Sequence, residues 1–174
     1  QIGNVSAALE LTNNITVTEP LLFTPGNNNT SNGIGANGAL RSVSGSNTWS
    51  GPIGFSGASS ADGQPRAALI GVDGGSSLTI SGVITGSIAT GGSSRGNWIG
   101  LTGSGTGTIS TPMTYTGDLK FGTFSLAKFG SGTWNLTAAI LFPGQTVFAG
   151  QGVLSINGAG SLGVPGTNGG TGEV

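Results

Sequence analysis

The sequence predicts an all-β repeat fold, a parallel β-helix in which short strands wind into stacked coils. Glycine supplies 36 of the 174 residues, about a fifth of the chain against a usual share of roughly 7%. Short apolar stretches rich in β-branched residues alternate with Ser, Thr and Asn between glycines, as expected for strands with one buried face. A phrase of Gly and small residues followed by a strand also recurs at intervals of about 20–30 residues, a period typical of solenoids.

The recurring phrase sets the expected length of a coil. Its marker residues, one per strand, are Trp49, Leu78, Ile109, Trp134 and Leu154, and the steps between them are 29, 31, 25 and 20 residues. A propeller blade of four strands needs about 40 residues or more, so these steps are too short for a propeller. Gly and Asn tolerate the left-handed backbone of tight corners. The predicted corner pairs are Asn32-Gly33, Asn37-Gly38, Asn157-Gly158 and Asn168-Gly169. Because Asn-Gly also favours hairpins, an antiparallel β-sandwich is the alternative fold.

Residues 1–174 are expected to form a single solenoid domain, which the chain length allows. The polar stretches 25–38 and 56–65 are predicted loops that leave the coil at a corner. Residues 1–24 are either an ordinary first coil or an N-terminal strand segment exchanged with a neighbouring subunit by β-strand addition. The candidate assembly strand is marked by alternating apolar residues: Val5, Leu9, Leu11, Ile15 and Val17.

Residues 126–136 (LAKFGSGTWNL) resemble the opening of the autotransporter-associated β-strand repeat, L-x-K-x-G-x-G-T-L-x-L. The wider resemblance covers residues 126–163, and residues 39–51 look like a diverged second copy. The chain departs from the repeat at Trp134, where Leu is usual, and at the apolar run 140–143, where a polar run is usual. The matching motif positions, to which the resemblance gives a structural role, are Leu126, Lys128, Gly130, Gly132, Thr133, Trp134, Leu136, Gly144, Thr146, Val147, Gly150 and Leu154.

The resemblance implies a right-handed parallel β-helix in a bacterial protein that is secreted or displayed at the cell surface. It implies no chemistry and no cofactor. No signal peptide is visible at Gln1, so an exported chain would be a mature product or a piece of a longer one.

The residue inventory argues against an enzyme. The chain has no His and no Cys, which removes the usual base of a serine hydrolase and the usual ligands of Zn, Cu and Fe. Asp73 and Asp118 are the one pair of acids that neighbouring coils could bring together for glycosidase-like or lyase-like chemistry, with solvated corner residues as the favoured alternative. Two G-x-G-x-x-G matches, at Gly33 and Gly158, lack the strand and helix that dinucleotide binding requires. We therefore expect no catalytic, cofactor or metal site.

The charge balance limits the partners. Five Lys and Arg against six Asp and Glu give no basic patch for nucleic acid or anionic membranes, and no apolar run approaches the roughly 20 residues of a membrane span. Trp49, Trp98 and Trp134 are either a sugar-stacking strip or core packing. The sequence thus favours a self-assembling extracellular fibre subunit that stacks end to end with copies of itself. The alternative is an adhesin-like passenger that binds glycans or cell surfaces.

Overall fold

The structure, a computed structural model, describes residues 2–3, 8–24, 38–57, 66–88, 97–115, 124–141 and 147–157. These ranges contain 18 short β-strands and no helix. The strands form three six-stranded sheets, and every pairing is parallel. The chain is a right-handed parallel β-helix, which confirms the predicted fold and excludes the antiparallel sandwich.

Each sheet takes every third strand of the chain. Sheet A contains β1 (Ile2–Gly3), β4 (Leu21–Thr24), β7 (Ile53–Gly57), β10 (Ile84–Ile88), β13 (Met113–Tyr115) and β16 (Ile140–Leu141). Sheet B contains β2 (Leu9–Leu11), β5 (Leu40–Ser42), β8 (Arg66–Val72), β11 (Asn97–Gly103), β14 (Phe124–Lys128) and β17 (Val147–Ala149). Sheet C contains β3 (Thr16–Val17), β6 (Ser46–Trp49), β9 (Ser77–Ile80), β12 (Thr106–Ile109), β15 (Thr133–Leu136) and β18 (Val153–Ile156). One coil is a strand of sheet B, then of sheet C, then of sheet A; coil 1 begins at β2 and coil 6 at β17.

The coils shorten along the chain. Thr16 pairs with Thr48 in the first step of sheet C, whereas Asn135 pairs with Ser155 in the last, so the last coil uses far fewer residues. The sequence markers chose the inward face correctly, but their first three steps set the register two residues off, since for example Trp49 pairs with Ile80 rather than with Leu78. The last step is correct, because Trp134 pairs with Leu154. A shift of two keeps a side chain on the same face of a strand, so the apolar pattern alone does not detect it.

The core consists of inward-facing columns that run along the axis. In sheet A, Ile53, Ile84 and Met113 lie on successive strands in direct register, and all three are buried. Phe23 and Phe55 stack in the same sheet with ring centroids 4.9 Å apart. Since each coil covers the apolar face of the next, no coil can bury its own core alone.

The corner between sheets B and C, here called the BC corner, is the tightest turn of the coil. Coil 1 turns through Asn13 and Asn14, both at positive φ. The other BC corners each contain a glycine at positive φ: Gly45, Gly75, Gly103, Gly130 and Gly152. The left-handed backbone expected at corners is therefore present, although among the predicted corner pairs only Gly38 is described with a positive φ.

The predicted loops fall mainly on residues that the structure does not describe. Residues 25–37 and 58–65 lie outside the described ranges. The predicted start of the second loop was wrong, because Ser56 and Gly57 belong to β7 and pair with Ser87 and Ile88.

Candidate functional site at the BC corner

The N-terminal residues proposed as an assembly strand form the first coil of this chain. Leu9 and Leu11 pair with Leu40 and Ser42 of coil 2, and Val17 pairs with Trp49. Ile15 precedes β3 and is exposed, while Val5 lies outside the described residues. Within one chain, the described part of the segment takes the first-coil arrangement, and its exchange with a second copy stays a prediction.

Lys128 is the most unusual of the motif residues, because its side chain is fully buried. It lies at the end of β14 directly in register with Leu101, so its stem continues an aliphatic column of the core. Its Nζ donates hydrogen bonds to the carbonyl oxygens of Phe129 (2.5 Å), Gly130 (2.7 Å) and Gln151 (3.1 Å). Burial lowers the pKa of this amine from its ordinary value of 10.5. Lys128 thus connects the BC corners of coils 5 and 6.

Trp134 fills the interior one strand later. Its indole is fully buried and its Nε1 donates a hydrogen bond to the carbonyl oxygen of Thr102 at 3.2 Å. The residue paired with it in coil 4 is Gly107, and a Cβ on Gly107 would overlap the indole ring. A large and a small side chain therefore share one layer of the core.

The remaining motif residues support the same two coils. Leu126 and Leu136 are buried, Thr133 and Leu154 lie in β15 and β18, and Val147 pairs with Leu126. Three glycines allow close stacking, since a Cβ would approach backbone or side-chain atoms too closely at Gly130, Gly132 and Gly150. Gly144 and Thr146 lie outside the described residues.

The acidic residues do not form a described catalytic pair. Asp73 receives two hydrogen bonds from Arg41, of 2.8 Å from Nε and 2.5 Å from Nη2, and Glu10 accepts a third from Nη1 at 3.1 Å. The hydrogen bond to Asp73 raises the pKa of Arg41, against the opposing effect of burial. Asp118 lies outside the described residues. Within the described ranges, no group of three acidic residues could hold a metal ion.

The three tryptophans do not form one strip. Trp49 and Trp134 point into the core, whereas Trp98 lies on the outer face of sheet B with 37% of its surface exposed. Trp98 stacks on Phe129 at a centroid distance of 6.3 Å, and Phe129 contacts Phe148 at 6.1 Å. These three side chains, here called the aromatic row, lie one on each of coils 4, 5 and 6. Sequence reasoning missed Phe129 and Phe148, because their meeting depends on the lengths of the intervening coils.

A groove of about 450 Å³ adjoins the aromatic row. Its lining residues are Leu69, Asp73, Thr102, Gly103, Ser104, Phe129, Gly130, Ser131 and Gln151. The groove runs beside the BC corner, so the polar side chains of several coils border it. It combines an aromatic wall with carboxylate, hydroxyl and amide groups.

None of the described segments is a helix long and apolar enough to cross a membrane.

Comparison with known protein families, curated proteins and solved structures finds no match to this chain.

Proposed function

We propose that the chain is a structural rod segment of a bacterial extracellular or cell-surface protein, which associates end to end with copies of itself and performs no catalysis. The observation that carries this proposal is the continuous parallel pairing of three sheets through six strands each. Such a coil stack is stabilised mainly by contacts with the coils above and below. The resemblance of residues 126–136 to a repeat of bacterial surface proteins supports the location.

The two end coils have surfaces suited to stacking. Ile156 in coil 6 is exposed although it pairs with the buried Leu136, and Leu9 in coil 1 is exposed although it pairs with the buried Leu40. Among the described strands, the first and last strand of each sheet pair on one side only, and such edges pair readily with strands of another chain. A contact between two different ends does not close on itself, so it produces a filament.

Electron microscopy of negatively stained protein, combined with sedimentation velocity, tests the assembly. We expect filaments whose length grows with concentration, and we expect Ile156→Lys to shorten them by placing a charge in the end contact. Thr108→Lys, on the side of the rod in β12, is the matched control and should leave the filaments unchanged. Monomers alone at high concentration, or filaments equally sensitive to both substitutions, would contradict the proposal.

The second candidate is an adhesin-like passenger segment that binds glycans or neighbouring surfaces. The aromatic row and its groove favour this function, since they lie on the side of the rod and stay accessible in a stack. The two functions are compatible, and their experiments are independent.

A further inference from the structure

We propose that the groove beside the aromatic row binds an uncharged polysaccharide chain lying along the axis of the rod. The site is on the outer face of sheet B, so it is present whether or not the rods stack. It goes beyond a structural role because it assigns a ligand class to named side chains.

The aromatic row provides the apolar part of the site. Trp98 and Phe148 are 37% and 54% exposed, and half-buried Phe129 lies between them and also lines the groove. Other exposed apolar side chains, such as Leu22 and Val83, belong to or precede strands of sheet A. Only on sheet B do the described residues form a contiguous row of exposed rings. Aromatic rings of this kind bind the C–H faces of sugar rings.

Gly100 lets two lining residues of the groove approach each other. Gly100 pairs with Leu69 on one side and with Ala127 on the other, and a Cβ on it would overlap Leu69 and lie 3.6 Å from Phe129. Leu69 therefore covers Gly100, and both Leu69 and Phe129 line the groove. A larger residue at this position would displace Leu69 and change the lining of the groove.

A row of polar side chains borders the groove at the BC corner. Asp73, Ser104, Ser131 and Gln151 follow one another on coils 3 to 6 at the BC corner, and all four line the groove. Successive coils are about 4.8 Å apart, so these groups form a ladder parallel to the aromatic row. An extended ligand with hydroxyl groups along one edge and apolar faces matches both rows at once.

The charges favour a neutral ligand. The cation that contacts the lining residue Asp73 is Arg41, which is already held by Asp73 and Glu10. Among the described residues that line the groove there is no Lys or Arg, so phosphate-bearing or uronate-bearing polymers find no counter-charge on these side chains. Added peptide strands are disfavoured as well, because β8, β11 and β14 are already paired with neighbours on both sides.

Tryptophan fluorescence provides a direct readout. The chain has three tryptophans, and Trp98 is the one exposed to solvent, since Trp49 and Trp134 are buried. Titration with the neutral hexasaccharides cellohexaose, laminarihexaose, mannohexaose and hexa-N-acetylchitohexaose should shift the emission with at least one of them. Trp98→Phe should keep the binding, measured by calorimetry, and lose the shift.

Substitutions test whether the polysaccharide binds at the aromatic and polar rows rather than elsewhere on the surface. We expect Trp98→Ala and Phe148→Ala to weaken binding at least tenfold, and Gln151→Ala by a smaller factor. Leu22→Ala, an exposed apolar residue of sheet A, is the matched control and should bind as the unaltered chain does. Circular dichroism checks that each variant is folded. Absence of binding to all four neutral probes at millimolar concentration, binding only to hexagalacturonate or anionic vesicles, or equal loss in Leu22→Ala would overturn the proposal.

Discussion

The BC corners of coils 1–3 and of coils 5–6 both have backbone carbonyl groups that need a hydrogen-bond donor. A different type of buried side chain supplies the donor in each region. In the early coils, Asn47 is buried and its Nδ2 donates to the carbonyl oxygens of Leu11 (3.3 Å) and Ser44 (2.9 Å) and to the hydroxyl of Ser42 (2.8 Å). Its Oδ1 accepts from the backbone N–H of Ile15 at 3.0 Å. In the late coils, the ammonium of Lys128 performs this role. Both residues satisfy corner carbonyls that the tight turn directs away from the sheet ladders.

The two buried residues, Asn47 and Lys128, also lie in different sheets. Asn47 lies in sheet C, in the inward column that continues through Leu78, Gly107 and Trp134. Lys128 lies in sheet B, in the column of Ile70 and Leu101. An inward column therefore does not require one residue type. It requires that the summed volume fill the coil and that each buried polar group find a partner.

The largest expected effect is that of Trp134→Ala in the late region. The substitution leaves a cavity above Gly107 and removes the hydrogen bond from the indole N–H to the carbonyl of Thr102. We expect the free energy of unfolding to fall by about 3–5 kcal/mol, measured by urea denaturation. Trp134→Ala combined with Gly107→Leu should recover part of the loss by refilling the layer. Equal stability of the single and double variants would show that the two residues do not share this space.

Lys128→Met tests the late corner with its stem retained and its donors removed. Three carbonyl groups lose a charged donor, so we expect a loss of about 2–4 kcal/mol in the free energy of unfolding. Lys128→Arg, which keeps a charge on a longer side chain, should be tolerated less well than exposed substitutions such as Thr106→Arg. An unaltered stability of Lys128→Met would show that water replaces the ammonium without cost.

The lowered pKa of Lys128 adds a dependence on pH. Between the lowered folded value and the ordinary 10.5, the unfolded chain binds more protons than the folded chain, so the free energy of unfolding rises with pH in this window. Subtracting the free energy of unfolding of Lys128→Met from that of the unaltered chain isolates this group. A difference that falls as the pH rises towards 10.5 would contradict a lysine whose charged form is disfavoured by burial.

Asn47→Leu is the counterpart in the early region and should cost less, about 1–3 kcal/mol. Leucine matches the Leu78 that occupies the same column one coil later, so the loss comes from unpaired groups rather than from a cavity. The matched variant Asn47→Asp keeps the acceptor for the N–H of Ile15 but removes the Nδ2 donor. If Asn47→Leu proved costlier than Lys128→Met, the order of the two corners would be reversed.

Arg41→Met should have the smallest effect, below about 1 kcal/mol, because its ion pairs with Glu10 and Asp73 are partly exposed. The difference should shrink further when salt is added, since exposed charges are screened. A loss as large as that of Asn47→Leu would mean that this charged ladder, rather than the buried amide, holds the early corners.

The fold could be predicted from the sequence because its strands are short, β-branched and bounded by glycine. The register could not, since a two-residue shift preserves the apolar face, and the first three steps between the sequence markers all hide such a shift. The left-handed corner residues were expected as a class, although the pair in coil 1 proved to be Asn13 and Asn14. For these features, local propensity carries enough information.

The candidate site was less predictable. Lys128 stood out as a motif position, but its three acceptors come from two coils and become visible only in the folded chain. Trp98 is one of the three tryptophans that the sequence suggests for sugar stacking, whereas its partners Phe129 and Phe148 depend on the register of sheet B. A usable sequence signal would have been three aromatic residues, each inside a sheet B strand or next to its end, on consecutive coils.

Disulfide cross-linking tests the coil register most directly, because the chain contains no cysteine of its own. Thr79 and Thr108 are paired in adjacent coils, at a separation that suits a disulfide, whereas the register suggested by the sequence markers would pair Ser77 with Thr108. We predict that Thr79→Cys with Thr108→Cys forms an intramolecular disulfide under mild oxidation, identified by mass spectrometry of the linked peptides, and that Ser77→Cys with Thr108→Cys does not. Efficient linkage of the Ser77 pair and none of the Thr79 pair would contradict the stacked coils described above.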